Sequence, residues 1–265
     1  HYVLFECNGP FRLYREVHMK PTISPVGDRA ISIDFGQVID PTINRHIRQT
    51  IERIKELQLD GIIELVPTYC ALLVEYDAML YSYSEICNII EPTLEEGMTN
   101  TTNELVTVVE VPTVYGGEFG PDLRFVASHN HLSEDEVISI HSGTDYLVYM
   151  LGFIPGFTYL GGMDPRIATP RLSSPRTLIP AGSVGIAGEQ TGTYPSDSPG
   201  GWQIIGRTPV TMYDMSKAQA ALLKAGDYVR YVPIDESEFH RIKALGTDYV
   251  PVIREVEVGD LRGVK

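Results

Sequence analysis

Over the first hundred residues the apolar positions change period several times. Ile31, Ile33 and Phe35 recur at every second residue and stop at Gly36, the alternation of a strand with one buried face. In DPTINRHIRQTIERIKEL the spacing lengthens. Ile43, Ile47, Ile51 and Ile54 fall on one helical face, Asp40 stands where an N-cap is needed and Pro41 takes the first helical position. Two short runs, IIELV and ALLVEY, are separated only by Pro67 to Cys70 and read as adjacent strands. YSEICNIIEPTLEEG carries Ile86, Ile89, Ile90 and Leu94 at helical spacing, with Gly97 as a stop and Pro92 as a point of kinking or shortening. ELVTVVEV then closes the unit as a strand. The order β-α-β-β-α-β predicts a ferredoxin-like, split βαβ domain over residues 19–111.

After Pro112 the pattern changes. SEDE, Ser133 to Glu136, is a capping box that feeds Val137 and Ile138 into a short helix. Beyond it, YLVYMLGFIPGFTYLGGMD, TLIPAGSVGIAG, WQIIGRTPVTMY and DYVRYVPI are brief apolar pieces punctuated by Gly and Pro. They predict a closed or partly closed β-barrel over residues 112–265, so the fold class is α+β. SKAQAALLKAGD, ended by Gly226, and DESEFHRIKALG are expected as helices. Residues 1–18 are set apart as a leader foreign to the fold, with Met19 as the natural start.

Charge narrows the function. Asp and Glu number 35 against 21 Lys and Arg, a formal net charge of -14, which repels a phosphate backbone and argues against a nucleic-acid partner. No apolar run approaches the ~20 residues of a membrane helix, so no membrane partner is expected. Cys7, Cys70 and Cys87 lack CxxC spacing, which points to a reducing, cytoplasmic setting in which Cys70 and Cys87 act as small buried hydrophobes.

Several chemistries fail at the level of motif. No Gly-Lys pair occurs, so a self-contained P-loop is excluded. GSVGIAG departs from GxGxxG, and Ala181 replaces the first glycine of GxSxG before Ser183. His129 and His131 find no third ligand, so no metal is expected. His141 lies where a helix gives way to Ser142 and Gly143. It reads either as a surface or capped structural histidine or as a catalytic group that titrates near neutral pH.

The stretch Thr169–Pro209 holds more turn chemistry than barrel corners require. Arg171, Arg176 and Arg207 offer planar donor forks, and Gln190, Thr191, Tyr194 and Ser198 stand among glycines that leave backbone N–H groups open. Together these groups suit a carboxylate or a phosphorylated intermediate. Trp202 supplies either an apolar wall or part of the barrel core.

PVGDRA, FGQVIDPTINRHI, VPTYCALLVEYD, YGGEFGPDL, LGFIPGFTYLGGMD, the stretch from Pro170 to Pro209, and LLKAGDYVRYVPI carry a further signal. In order and density, from about Ile23 to Ile234, they resemble the family that comprises the B subunit of 5-oxoprolinase, the KipI kinase inhibitors and allophanate hydrolase subunit 1. The resemblance implies a ferredoxin-like domain followed by a cyclophilin-like barrel. It implies a protein that joins a homologous C subunit and a separate A subunit to cleave 5-oxoproline to glutamate with ATP. Such a protein is expected to be inactive alone, and which component holds ATP is left open. His141, Arg176 and Glu189 are then the catalytic candidates. Arg171, Arg207, Gln190, Thr191, Tyr194, Ser198 and Trp202 are the candidates for binding substrate or phosphate. Two alternatives stand beside this reading: an inhibitor that docks on a sporulation sensor histidine kinase, and the carboxyltransferase half-domain of a urea or allophanate system. The absence of a biotin-carrier segment and of an amidase segment weakens the second.

Overall fold

The computed structural model describes residues 21–95 and 105–263; the expected leader and the expected helix stop Gly97 lie outside them. The N-terminal unit runs β1 (Thr22–Val26), β2 (Ala30–Asp34), α1 (Pro41–Glu56), β3 (Ile62–Pro67), β4 (Ala71–Tyr76) and α2 (Tyr83–Glu95). Its sheet is antiparallel in the order β1-β2-β4-β3. Asp40 caps α1 as expected, accepting from the Thr42 N–H at 2.7 Å. Ile31, Ile33, Leu72 and Val74 of the sheet meet Ile47, Ile54, Ile86 and Ile90 of the helices in one core. Each such side chain contributes about 1.5–3 kcal/mol on burial, which is what fastens the helices to the sheet.

The strand expected to close this sheet does not belong to it. It is β5 (Leu105–Tyr115), which runs through the boundary expected at residues 111 and 112 and pairs only within the second sheet. β1 takes the edge beside β2 that the β-α-β-β-α-β order reserves for the last strand. The physical reason lies in the two faces of β5: Val106 and Val108 enter one apolar cluster while Val109 and Val111 enter another. A strand buried on both sides needs a central place in a covered sheet.

The second unit continues with α3 (Leu123–His129), α4 (Glu134–Ser142), β6 (Asp145–Leu151), β7 (Thr158–Gly161), β8 (Arg176–Ile179), β9 (Ser183–Ala187), β10 (Gln190–Thr193), β11 (Ser198–Gly200), β12 (Gln203–Arg207), β13 (Tyr228–Pro233), α5 (Glu236–Leu245) and β14 (Ile253–Glu257). The main sheet has the order β10-β9-β12-β5-β13-β6-β7, with β14 also on β5. Its end strands β7 and β10 come to lie side by side, so the sheet nearly closes into a barrel. β8 and β11 form a separate ribbon. Val111, Val148, Val184, Ile186, Ile205 and Tyr231 fill the interior. The capping box on α4 forms as expected, between Ser133 and Glu136.

Residues 212–222 fold as an irregular hairpin where SKAQAALLKAGD predicts a helix. The Asp214 N–H donates to Ala220 O at 2.7 Å and the Leu222 N–H to Met212 O at 2.9 Å. The Asp214 carboxylate takes both the N–H and the hydroxyl of Ser216, a local bond that competes with helix formation. Among the described residues no helix is long and apolar enough to cross a membrane.

The two units are joined by specific polar contacts. Buried Asn44 on α1 donates to Tyr149 O at 3.2 Å, and Arg48 donates to Asn44 Oδ1 at 3.2 Å. Gln190 Nε2 on β10 donates to the Tyr69 hydroxyl at 2.8 Å.

Candidate functional site

β10 sorts the expected site residues onto two sides of the barrel wall. Alternate residues of a strand face opposite ways. Gln190, Gly192 and Tyr194 therefore share the outer face, and Thr191 and Thr193 point inward. Outside, Phe157, Ile179, Ala187, Tyr194, Trp202 and Ile204 form one cluster, so Trp202 is a wall of the outer face and not part of the barrel interior. Glycine makes the wall possible. A Cβ on Gly185 would lie 3.1 Å from Gln203 O and 3.3 Å from Trp202 Cβ, and one on Gly192 would lie 3.4 Å from Trp202 Cζ3, so it is at Gly192 that the indole packs on bare backbone. The turn that starts β10 is equally specific: Gly188 has φ +60, which suits the first central position of a two-residue hairpin turn and leaves Glu189 exposed at the tip.

The arginines have unequal duties. Arg171 is exposed, its Cζ 5.9 Å from the centre of the Trp202 ring, and among the described residues it has no hydrogen-bond or ion-pair partner. Arg176 is committed: it donates to Asp122 Oδ1 at 2.7 Å and to Trp202 O at 3.2 Å. Arg207 donates to Ala181 O at 2.9 Å and stands five residues beyond Trp202, roughly 16 Å along the strand, away from the cluster. Burial pushes the Tyr194 hydroxyl up to about 12, an effect that the nearby Arg171 and Arg176 charges oppose. Ser198 Oγ and Gln203 Oε1 are buried without a hydrogen-bond partner among the described residues. Ser198 pairs with Ile179 across the β8–β11 ribbon, so its side chain lies on the same side as the outer cluster.

His141 and Thr191 belong to the inside. The imidazole is fully buried. Thr191 Oγ1 donates to Gly185 O at 3.0 Å and lies 2.8 Å from His141 Nε2, so it accepts the Nε2–H proton. Nδ1 is left to accept from the Tyr115 hydroxyl at 2.8 Å. Desolvation lowers the His141 pKa to about 3, which keeps the ring neutral under physiological conditions. The expectation of a group titrating near neutrality is thus corrected. Tyr146 and Tyr231 flank the ring at 5.4 and 4.7 Å between centroids, and the capped, structural alternative describes what is seen.

The structure therefore gathers Arg171, Arg176, Tyr194, Ser198 and Trp202 on one outer face, with Glu189 and Gln190 at its end, and separates His141, Thr191 and Arg207 from it. Sequence reasoning missed four residues of this face. Asp122, in the GPDL segment, orients Arg176; Phe157 and Tyr159, in GFTY, lie 5.3 Å apart between ring centroids and line the wall; Tyr69 reaches it from the N-terminal unit. Their only signal was a place within segments that resemble the family, since each acts through a partner distant in sequence. Cys70 and Cys87 are partly exposed free thiols, so they are less buried than expected. Among the described residues no group of three or more His, Cys, Asp or Glu is placed to hold a metal ion.

Comparison with known proteins gives a consistent result. Residues 21–223 match the family described as carboxyltransferase domain, subdomain C and D. The B subunit of 5-oxoprolinase from Bacillus subtilis is 45% identical over 231 residues, which are 83% of this chain and 96% of that protein. The protein of the same name from Escherichia coli is 52% identical over 128 residues, 48% of this chain and 59% of that protein. Among solved structures, the urea carboxylase of Kluyveromyces lactis has a TM-score of 0.72 at 22% identity, over 89% of this chain and 24% of that one, a likeness of fold.

Proposed function

This chain belongs to the carboxyltransferase domain family, subdomain C and D, and we propose that it serves as the B subunit of a cytoplasmic 5-oxoprolinase. The observation that carries the reading is the 45% identity across 96% of the Bacillus subtilis protein, which favours it over kinase inhibition or a urea or allophanate role. The outer face of the barrel supports it chemically. Arg171 offers an uncommitted guanidinium for the substrate carboxylate, the partly exposed rings of Tyr159 and Tyr69, backed by the buried Phe157 and Trp202, offer an apolar wall for a small ring, and Glu189 offers an exposed carboxylate at the edge.

A lactam resists water because its nitrogen lone pair delocalises into the carbonyl. ATP supplies the activation of that amide in such an enzyme. This chain's residues do not fit the nucleotide: Arg176 and Arg207 are tied to protein oxygens, and Arg171 alone is a poor match for a triphosphate. We therefore place ATP on another component, with the A and C subunits as partners and this chain inactive by itself. The contribution of this chain is to hold the carboxylate, fix the ring against the wall and shield one of its faces.

The test is reconstitution. Oxoproline-dependent ATP hydrolysis and glutamate formation are measured with the chain and its two partner proteins, each omitted in turn. Turnover only in the complete mixture supports the reading; association of the components without turnover removes it.

A further inference from the structure

We infer that Tyr69, contributed by the N-terminal unit, and Gln190 on β10 form a donor and acceptor pair that reads the amide of the lactam; the inference rests on the substrate reading above. The geometry begins with Gln190 Nε2, which donates to the Tyr69 hydroxyl oxygen at 2.8 Å. A phenol that accepts one hydrogen bond keeps its own proton to give, and a carboxamide that donates through nitrogen keeps its oxygen to accept. Among the described residues neither the Tyr69 proton nor Gln190 Oε1 has a partner. A donor and an acceptor thus stand beside each other, already oriented by the bond between the two side chains.

A five-membered lactam presents the complementary pair. Its ring forces the amide to be cis, so the N–H and the C=O emerge on the same edge. The C=O accepts from Tyr69 and the N–H donates to Gln190 Oε1, and a linear trans amide cannot do both. The placement agrees with the rest of the face. Gln190 lies one pleat, about 7 Å, from Gly192 on the same side of β10. A Cβ on Gly192 would lie 3.4 Å from Trp202 Cζ3 and 3.5 Å from Phe157 Cζ. Tyr69 continues this aromatic surface, with its ring centroid 6.0 Å from that of Tyr159 and 5.2 Å from that of Tyr149. The long Arg171 side chain, stacked over Trp202, is left to take the carboxylate.

The site is therefore incomplete on the barrel alone. The β3–β4 turn, which carries Tyr69, becomes a specificity element, and the docking of the two units holds it in place.

The experiment uses the complex assembled from all three components and two probes: 5-oxoproline, and cyclopentanecarboxylate, which keeps a ring and a carboxylate but has no amide. Affinities are read by equilibrium binding and by competition. Tyr69→Phe and Gln190→Met are each expected to weaken 5-oxoproline about tenfold, the size of one lost hydrogen bond to a buried ligand, and to leave the affinity for cyclopentanecarboxylate unchanged, while loss of the hydrogen bond between the units lowers the melting temperature slightly in both variants. Arg171→Ala weakens both probes. Equal losses for the two probes in Tyr69→Phe, or no loss for 5-oxoproline, would overturn the assignment and leave the oxoprolinase reading intact. A wild-type complex that neither binds nor turns over 5-oxoproline overturns both.

Discussion

The Arg176 guanidinium donates to Asp122 Oδ1 at 2.7 Å, while the other oxygen of that carboxylate accepts the Ile204 N–H at 2.6 Å. One aspartate thereby ties the ribbon strand β8 to the start of β12 and fixes the floor beneath Trp202. Arg176 and Arg171 both look like anion receptors in the sequence, yet only one is unpartnered. Arg176→Ala removes an ion pair and leaves Asp122 half satisfied, so a stability loss of about 1–3 kcal/mol is expected. Arg171→Ala is expected to leave the melting temperature unchanged and to raise the KM for the carboxylate substrate at least tenfold. Thermal unfolding and steady-state kinetics of the two variants separate the roles. An unchanged melting temperature for Arg176→Ala would show that its contacts are dispensable.

His141 gives the protein an acid sensitivity with a defined sign. In the unfolded chain a histidine takes a proton at about pH 6.5, whereas burial holds the folded pKa at about 3. Between those values the unfolded state binds more protons. Stability is therefore full above the unfolded pKa and falls as pH drops, by about 1.4 kcal/mol per unit from this group. His141→Gln is expected to be less stable at pH 8, because the bonds to Tyr115 and Thr191 are rebuilt imperfectly, and to show a shallower decline from pH 6 to pH 4. Denaturant titrations across that range measure both slopes; parallel slopes would mean that the imidazole is protonated in the fold.

The C-terminal strand β14 is held on β5 by its ladder and by Arg254, which donates to Glu110 at 2.6 Å, and the segment after it is held by Asp145. Asp145 is fully buried and accepts from Arg230 at 2.6 and 2.7 Å, and its Oδ2 also accepts the Arg262 N–H at 2.9 Å. Asp145→Ala leaves the nearly buried Arg230 guanidinium with Glu110, 3.9 Å away, as its remaining carboxylate partner, so a cost of about 3 kcal/mol, at the low end for breaking a buried pair, is expected. Amide exchange should quicken first in the segment around Arg262. Protection that is uniform with the wild type would contradict this attachment.

Local physics was the legible part of the sequence. The Asp40 cap, the Ser133 capping box and the 3.6-residue spacing of Ile43, Ile47 and Ile54 involve residues a few positions apart, and the helices follow from them. β5 was misplaced because its apolar run shows that it is a strand but not which sheet will cover both of its faces; its partner β13 lies more than a hundred residues later. β1, TISPV, has no marked alternation and contains Pro25, so the edge it occupies was invisible. The candidate site was read as a composition, arginines and hydroxyls among glycines, and about half of those residues do share one face. Which arginine remains unpartnered depended on Asp122, 54 residues upstream of Arg176, and the side of the wall on which each β10 residue falls depended on its register. Neither relation has a local signature.

The claim that the outer face holds the substrate is tested most directly at Trp202, the only tryptophan of the chain. The chain alone is labelled with 5-fluorotryptophan and assembled with unlabelled partner proteins, so a single fluorine resonance reports the wall beneath Arg171. Titration with 5-oxoproline is expected to shift that resonance saturably at concentrations that support turnover, and the shift is expected to vanish in Arg171→Ala. Turnover in the complex with an unmoved resonance would contradict the assignment and place the substrate elsewhere.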